Sequence, residues 1–407
     1  MTSVDVAIVG AGAAGVGAAR TLAATGRSVL LIEASDRVGG RAHTVSLGGH
    51  PLDLGCGWLH SAERNPWVGI AESIGHVVDR SPSSWGRQYR NLGFTRDEQK
   101  AAGAAFDAFE QRLRRDPPAS DLAADALEPG GAWNGFIEAL SGYINGVGLG
   151  ALSVRDYLAY DVAASEENWR LPDGYGTLVA ASLPAVPLAL ACPVTRIDLS
   201  GRDVVLETRR GTIRAARAIS TVSTAVLASG AIQLAAAMDE HRHAASCLPL
   251  GLADKLFLAL DGYEEIGADE PLLGNPHRAN TGSYYLCPFG RRVIECFYGG
   301  SSAAALEREG LDGAATFAVE ELAGLLGSDV RRHLRLLTGS AWARTDHVGG
   351  SYSHALPGQH GARATLARPI ENRLFFAGEA CSPTDFSTAH GALATGIAAA
   401  EAVLASF

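Results

Sequence analysis

Lysine is almost missing from this 407-residue chain. Of its 34 basic residues, 32 are arginine, and the two lysines are Lys100 and Lys255. A chain that accepts arginine wherever a surface cation will do keeps a lysine where a planar guanidinium would not serve. Long apolar runs are missing too. None reaches the ~18 residues that span a bilayer, so no membrane association is expected. The six cysteines (Cys56, Cys192, Cys247, Cys287, Cys296, Cys381) form no C-x-x-C pair and no metal-ligand spacing. They are expected to be reduced thiols of a cytoplasmic protein, and no metal is expected. Met1 to Asp5 carries no basic stretch, so no cleavable signal is expected. Acidic residues outnumber basic ones, 44 to 34, for a formal charge of −10. That balance argues against a nucleic-acid partner. What remains is 47% hydrophobic and 19% charged, a globular composition with 48 glycines for tight turns and close backbone approaches.

Val4 to Val9 is a short, β-branched apolar run, the pattern of a buried parallel strand. It leads into Gly10-Ala11-Gly12-Ala13-Ala14-Gly15, a complete G-x-G-x-x-G. An alanine-rich helix is predicted from about Ala13 to Thr25, stopped by Gly26. Ser28 to Ile32 is a second buried strand, and Glu33 stands at its end. Gly10 makes the tight turn, and Gly12 lets the backbone approach a pyrophosphate at the helix N-terminus. Gly15 lets helix pack on strand, and Glu33 accepts from a ribose. A lone glycine fingerprint is weak, but strand, glycines, helix, strand and acid in this order predict a bound dinucleotide, FAD or NAD.

The residues that follow favour FAD. Glu33-Ala34-Ser35-Asp36-Arg37-Val38-Gly39-Gly40-Arg41 resembles the E-A-x-x-R-x-G-G-R segment of the flavin-containing amine oxidases, the family of monoamine and polyamine oxidases. Gly39 and Gly40 let the backbone pass a second phosphate, and Arg41 adds positive charge. Leu52 to His60 is similar to the D-L-G-x-x-W-I-H block of the polyamine-oxidase branch, which implies that Gly57 and Trp58 run past the flavin ring. Trp58 reads equally well as a core tryptophan. His60 is either a satisfied buried histidine or a substrate contact.

From about Arg64 to Asp173 the family motifs fade. A helix is predicted over Arg96 to Arg115, with Ala105, Phe106 and Phe109 as its apolar face and Asp116-Pro117-Pro118 as its stop. Trp169 could line a cavity or a core. Val194 begins a strand, and the resemblance places it against the adenine portion of FAD. Lys255 opens the apolar strand Lys255 to Leu260. In the family, a lysine in this setting reaches the flavin N5 through a water, and burial is expected to lower its pKa.

Towards the C-terminus, Ala341-Trp342 through Gly349-Gly350-Ser351-Tyr352-Ser353 resembles the family's tryptophan and G-G-x-Y segment. Monoamine oxidases carry a flavin-linked cysteine where this chain has Ser351, so the resemblance implies FAD held without a covalent bond. Tyr352 takes an aromatic-cage position, Phe386 is the ring nearest to the second, and Thr388 is not aromatic. Leu374 to Ala380 resembles L-F-F-A-G-E-A and implies that Gly378 and Glu379 contact the ribityl–phosphate region. Ser387 or Thr388 can cap a long small-residue helix, whose first residues, Thr388 and Ala389, would point at the flavin pyrimidine. His390 is read as structural.

Together these residues predict an α/β fold. A Rossmann-like FAD-binding domain would be assembled from the discontinuous segments 1–60, 180–245 and 340–407. A mixed α+β substrate domain would take 61–179 and 246–339. The expected activity is FAD-dependent oxidation of a primary or secondary amine, polyamines included, with O2 as acceptor and hydrogen peroxide as product. Lys255, Tyr352 and Phe386 would be the catalytic residues. Two other readings stay open: an L-amino-acid oxidase or flavin desaturase, with Arg87 and Arg90 available for a carboxylate, and a flavoprotein scaffold without turnover. The oligomeric state is left open.

Overall fold

The computed structural model of the chain describes residues 2–407. The N-terminal apolar run forms β1 (Thr2–Val9), followed by α1 (Ala13–Leu22) and β2 (Val29–Ile32). Three short strands come next: β3 (Thr44–Leu47), β4 (His50–Asp53) and β5 (Trp58–Leu59). Four helices then leave the first sheet, α2 (Pro66–Ser73), α3 (Arg96–Arg115), α4 (Asn134–Asn145) and α5 (Val154–Ala163). The chain returns through β6 (Trp169–Arg170), α6 (Tyr175–Ala181) and β7 (Leu188–Ala189) to a ribbon of β8 (Val194–Asp198), β9 (Val204–Thr208) and β10 (Gly211–Ser220). After α7 (Thr224–Ser229), β11 (Gln233–Leu234) and α8 (Asp239–Ser246), a second sheet begins. It comprises β12 (Ala253–Leu260), β13 (Glu270–Leu273), β14 (Ser283–Leu286), β15 (Val293–Gly299) and, after α9 (Gly300–Leu326), β16 (Leu334–Gly339). The chain ends with α10 (Ala362–Ala367), β17 (Leu374–Phe376) and α11 (Ala389–Ala405).

The first sheet places β7, β2, β1 and β10 side by side in parallel. The end of β10 pairs in parallel with β17, and its start pairs antiparallel with β9. The two chain ends therefore meet in one sheet. Their helices lock that arrangement. A Cβ on Gly396 of α11 would lie 2.0 Å from the Ala14 carbonyl oxygen of α1. Only glycine permits so close an approach. α1 ends earlier than expected, at Leu22, because the amide and hydroxyl of Thr25 both turn back to the Leu22 carbonyl.

The second sheet runs β13-β14-β15-β12-β16, and all its pairs are antiparallel. Alternation gives it two faces. Leu256, Leu258, Ile294 and Cys296 pack in one core with Ala314, Ala318 and Leu322 of α9. Lys255, Phe257, Glu295, Phe297 and Tyr285 line a cavity on the opposite face. α3 spans the predicted residues. Thr95 and Glu98 close a reciprocal capping box at its start, worth about 1 kcal/mol, and Phe109 and Leu113 bury its apolar side. All six cysteines are free thiols. Among the described residues, no helix is long and apolar enough to cross a membrane, and no group of His, Cys, Asp or Glu could hold a metal ion.

Candidate functional site

A cavity of about 1430 Å³ runs from the C-terminal ends of β1 and β2, past β12 and β15, to the helices α3, α4 and α5. It exceeds the roughly 300–1,000 Å³ of ordinary small-molecule sites. Its first end is made largely of backbone. Gly10 has φ +104° and turns the chain out of β1. Gly15 does not line the cavity; a Cβ there would lie 1.9 Å from the Gly10 carbonyl oxygen, so glycine is what lets α1 pack on the turn. The N-cap of α1 is Gly12, with no side chain bonded to the first-turn amides, and Gly12, Ala13 and Ala14 all face the cavity. The Gly39–Gly40 turn lies alongside, with the Gly39 amide donating to the Ala11 carbonyl at 2.9 Å. A Cβ on Gly40 would fill this cradle, 3.3 Å from Gly12 Cα. An uncapped helix start beside bare backbone suits a pyrophosphate. The buried Glu33 carboxylate accepts from the Ala11 amide at 2.7 Å and from Ser35, and Ala34 and Val194 line the wall beyond it. The residues present thus fit a dinucleotide.

Arg41 joins this end to the C-terminal segment. It donates to the Ser351 carbonyl and to Glu379 Oε1, at 2.9 Å. The other Glu379 oxygen accepts from Ser353 Oγ and the Ser387 amide. Burial raises the Glu379 pKa, but Arg41, Ser353 and Arg363 overcome it, and the group stays below the ordinary glutamate value. Gly378, Trp342, Thr388 and Ala389 line the adjoining wall. Trp342 is held by its indole N–H, donated to the Leu54 carbonyl. Thr388, not Ser387, caps α11, accepting from the Gly391 amide at 2.9 Å. Ser351 Oγ is engaged with both backbone groups of Ala253.

Mid-cavity stands Lys255, 7% exposed. Its Nζ lies 2.8 Å from Glu295 Oε1. A Cβ on Gly57 would approach that Nζ to 3.0 Å, so the glycine leaves the ammonium its space. The expectation that burial lowers this pKa is corrected. Burial does pull it down, but Glu295 and Asp53 together outweigh that, and the group lies above the ordinary lysine value.

Aromatic rings wall the far end. Tyr352 donates its hydroxyl to the Tyr143 carbonyl at 2.6 Å. Phe386 is buried, with the Arg363 guanidinium 3.6 Å from its ring centre, so one face is filled by protein rather than open to a ligand. Tyr160 lies 5.7 Å from Phe386, tilted, and also lines the cavity. Trp58 and Trp85 meet at 4.4 Å between centroids, and His60 packs on Trp85. His60 Nδ1 bonds Asn168 at 2.7 Å, and burial lowers its pKa to about 4 despite that bond. Trp169 does not line the cavity. Its ring is covered by Arg80, and its neighbour Arg170 faces the cavity instead, because β6 pairs with β5 and alternate side chains point opposite ways.

The family described as flavin containing amine oxidoreductase matches residues 67–404, and the NAD(P)-binding Rossmann-like domain family matches residues 8–70. The chain belongs to the flavin-containing amine oxidoreductases. Polyamine oxidase 2 of Arabidopsis thaliana is 26% identical to it over 449 residues, covering 98% of this chain and 88% of that protein. Polyamine oxidase 3 of Oryza sativa subsp. japonica is 26% identical over 444 residues, covering 97% and 88%. Among solved structures, a putrescine oxidase with bound putrescine superposes with a TM-score of 0.80 at 19% identity, over 99% of both chains, a likeness of fold. The expected fold class, cofactor and enzyme class are thereby borne out: this is an α/β FAD-dependent amine oxidoreductase.

Three features of this amine oxidoreductase carried no signal in its linear pattern. Glu295 is an ordinary acid within an apolar strand, and it meets Lys255 because β15 lies beside β12. Tyr160 sits in a helix without a motif. Arg363 and Asp156 form a buried bidentate pair, at 2.6 and 2.8 Å, that links α10 to α5. Arg363 also donates to Ser353 Oγ, extending the network to Glu379. Glu110 could have been found as an acid on the cavity side of α3, one helical turn beyond Phe106.

Proposed function

We propose that the enzyme oxidises the C–N bond of a primary or secondary amine, with a di- or polyamine as the substrate class, and passes the electrons to O2 to give hydrogen peroxide. The observation that carries this reading is one continuous cavity. It joins a dinucleotide cradle to a buried ammonium and then to rings and carboxylates. When bound, FAD supplies the acceptor for the hydride equivalent removed from the amine carbon. Gly10, Gly12, Ala14, Glu33, Ala34, Gly40 and Arg41 would hold its dinucleotide portion, with Gly15 as the packing residue and Val194 beside the adenine. Gly57, Trp58, Trp342, Gly378, Glu379, Thr388 and Ala389 would surround the rest. Segments 1–60, 180–245 and 340–407 would make up the cofactor domain.

The chain's own residues then divide the work. Tyr352, Tyr160 and the free edge of Phe386 orient the amine by shape and by their ring quadrupoles. His60 is neutral near pH 7 and holds no charge against an amine. Glu110, Asp161 and Glu166 line the helical end; Glu110 and Asp161 share the single Arg114 guanidinium, so three carboxylates to one cation leave negative charge that favours a second cationic group. Lys255 keeps a proton mid-cavity, and a fixed cation there stabilises negative charge developing on reduced oxygen.

A panel of mono-, di- and polyamines, with amino acids as the competing class, tests this by peroxide release under air. Release with amino acids alone would overturn the amine reading. Lys255→Met is expected to retain yellow FAD and to slow reoxidation about a hundredfold. Unchanged reoxidation by stopped flow would remove Lys255 from the reaction. Acid precipitation is expected to release all flavin, since Ser351 offers no thiol; flavin left in the pellet would show a covalent bond.

A further inference from the structure

We propose that Glu295 is a positioning residue for the reaction: it aims the Lys255 side chain at the gap beside Gly57 and keeps it a cation. The proposal rests on the role given above to Lys255, and it concerns what makes that role possible. Lys255 lies opposite Phe297 in the ladder, and Glu295 lies opposite Phe257. The two are therefore diagonal neighbours on one face of an antiparallel pair, a spacing that long side chains bridge. Their contact of 2.8 Å lies inside the cavity, where Lys255 is 8% and Glu295 21% exposed at the side chain.

Every group facing the ammonium bears on its charge. Asp53, on β4, is the other carboxylate near it, but Asp53 accepts from Thr44 Oγ1 and from the amides of Tyr175 and Gly176. Burial pushes the Asp53 pKa up, with Lys255 pulling against it. Cys56, between β4 and β5, is pushed up to about 12, mainly by burial, and stays a thiol. His60 stays neutral, its pKa lowered to about 4 by burial first, with the Lys255 charge contributing. Asp254, the preceding residue in β12, points to the other face, where it meets Glu307 of α9. Glu295 is thus the carboxylate in ion-pair contact with Nζ. Without it the buried cation would lose its direct partner, and desolvation would favour the neutral amine.

This chain offers a direct test, because it has only two lysines. Protein labelled with ε-15N-lysine gives two side-chain NMR signals, and Lys100, exposed on α3, serves as the internal reference. In the FAD-loaded wild type, the Lys255 signal is expected to remain that of an ammonium up to about pH 10. In Glu295→Gln its midpoint should fall by about one pH unit or more, with Lys100 unmoved. Glu295→Asp, which keeps the charge but draws it back, should fall between. A Lys255 midpoint that is the same in Glu295→Gln and wild type overturns the proposal. Should Glu295→Gln fail to fold, the cause would be the uncompensated cation, so Lys255→Met/Glu295→Gln is expected to recover a folded yellow protein; a double variant that stays unfolded also overturns it. The midpoint is read without turnover. An unchanged reoxidation rate in Lys255→Met would therefore sink the role of Lys255, while leaving the test of Glu295 readable on its own.

Discussion

At the end of the cavity proposed to hold the dinucleotide the walls are backbone, whereas at the end proposed to take the amine they are side chains. The first end is built by Gly10, Gly39 and Gly40, whose positive φ a side chain would strain, and by Gly12 at the uncapped start of α1. The second is built by Tyr352, Tyr160, Phe106 and Glu110, contributed by elements far apart in sequence. Backbone walls tolerate almost no change, since a single carbon fills them. Side-chain walls can be trimmed or regrown, since a methylene more or less costs only a few kcal/mol. The first end should therefore respond to mutation in an all-or-none way and the second by degrees.

The sharpest break of that contrast is Gly15→Val. Its Cβ would sit 1.9 Å from the Gly10 carbonyl, and purified protein is expected to be colourless or unfolded. A yellow, stable variant would show that the turn yields. Next in size is Arg363→Met, at the seam between the two regions. It leaves Asp156, 2% exposed, without its partner and should cost about 3–5 kcal/mol of stability. The measurement is denaturant unfolding with flavin release followed in parallel; separate transitions would mean that the seam does not couple the ends.

Acid should expose the seam as well. Burial holds His354, like His60, at a pKa of about 4 against an ordinary 6.5. Because the folded value is the lower one, the unfolded chain binds more protons between these two values. Stability from each neutral histidine is present above about pH 6.5 and is lost as pH falls towards 4, up to about 3 kcal/mol for His354. Thermal midpoints from pH 7 to 4 measure this, and His354→Gln should flatten the acid slope; an identical slope would contradict it. The smallest effect is expected from Phe106→Ala in α3. It should keep full flavin content and raise KM for the best amine about tenfold. Loss of flavin in that variant would erase the distinction between the two ends.

Much of the first end was legible from the chain alone. The order of strand, G-x-G-x-x-G, helix, strand and Glu33 is local, and local order predicts a dinucleotide turn. The boundaries of α3 were legible for the same reason, through its apolar period and the Asp116-Pro117-Pro118 stop; the capping box of Thr95 and Glu98 came with the structure. Trp169 shows the opposite case. A two-residue strand decides which of Trp169 and Arg170 turns to the cavity, and no period can be read from two residues. The expected fall in the Lys255 pKa failed similarly. Burial could be inferred from the apolar strand, but its counter-charge came from a residue forty positions away.

By itself the sequence determined the cofactor class and the folding of the two chain ends into one sheet, and it set Ser351 where the resemblance places a flavin-linked cysteine. Each depends on short segments whose conformation is set by glycine, by apolar period or by side-chain chemistry. Only the tertiary structure decided that Glu295 meets Lys255, that Arg363 covers Phe386 and that Tyr160 joins the aromatic wall. Those meetings depend on strand register and helix packing, where side chains distant in sequence come within ångströms.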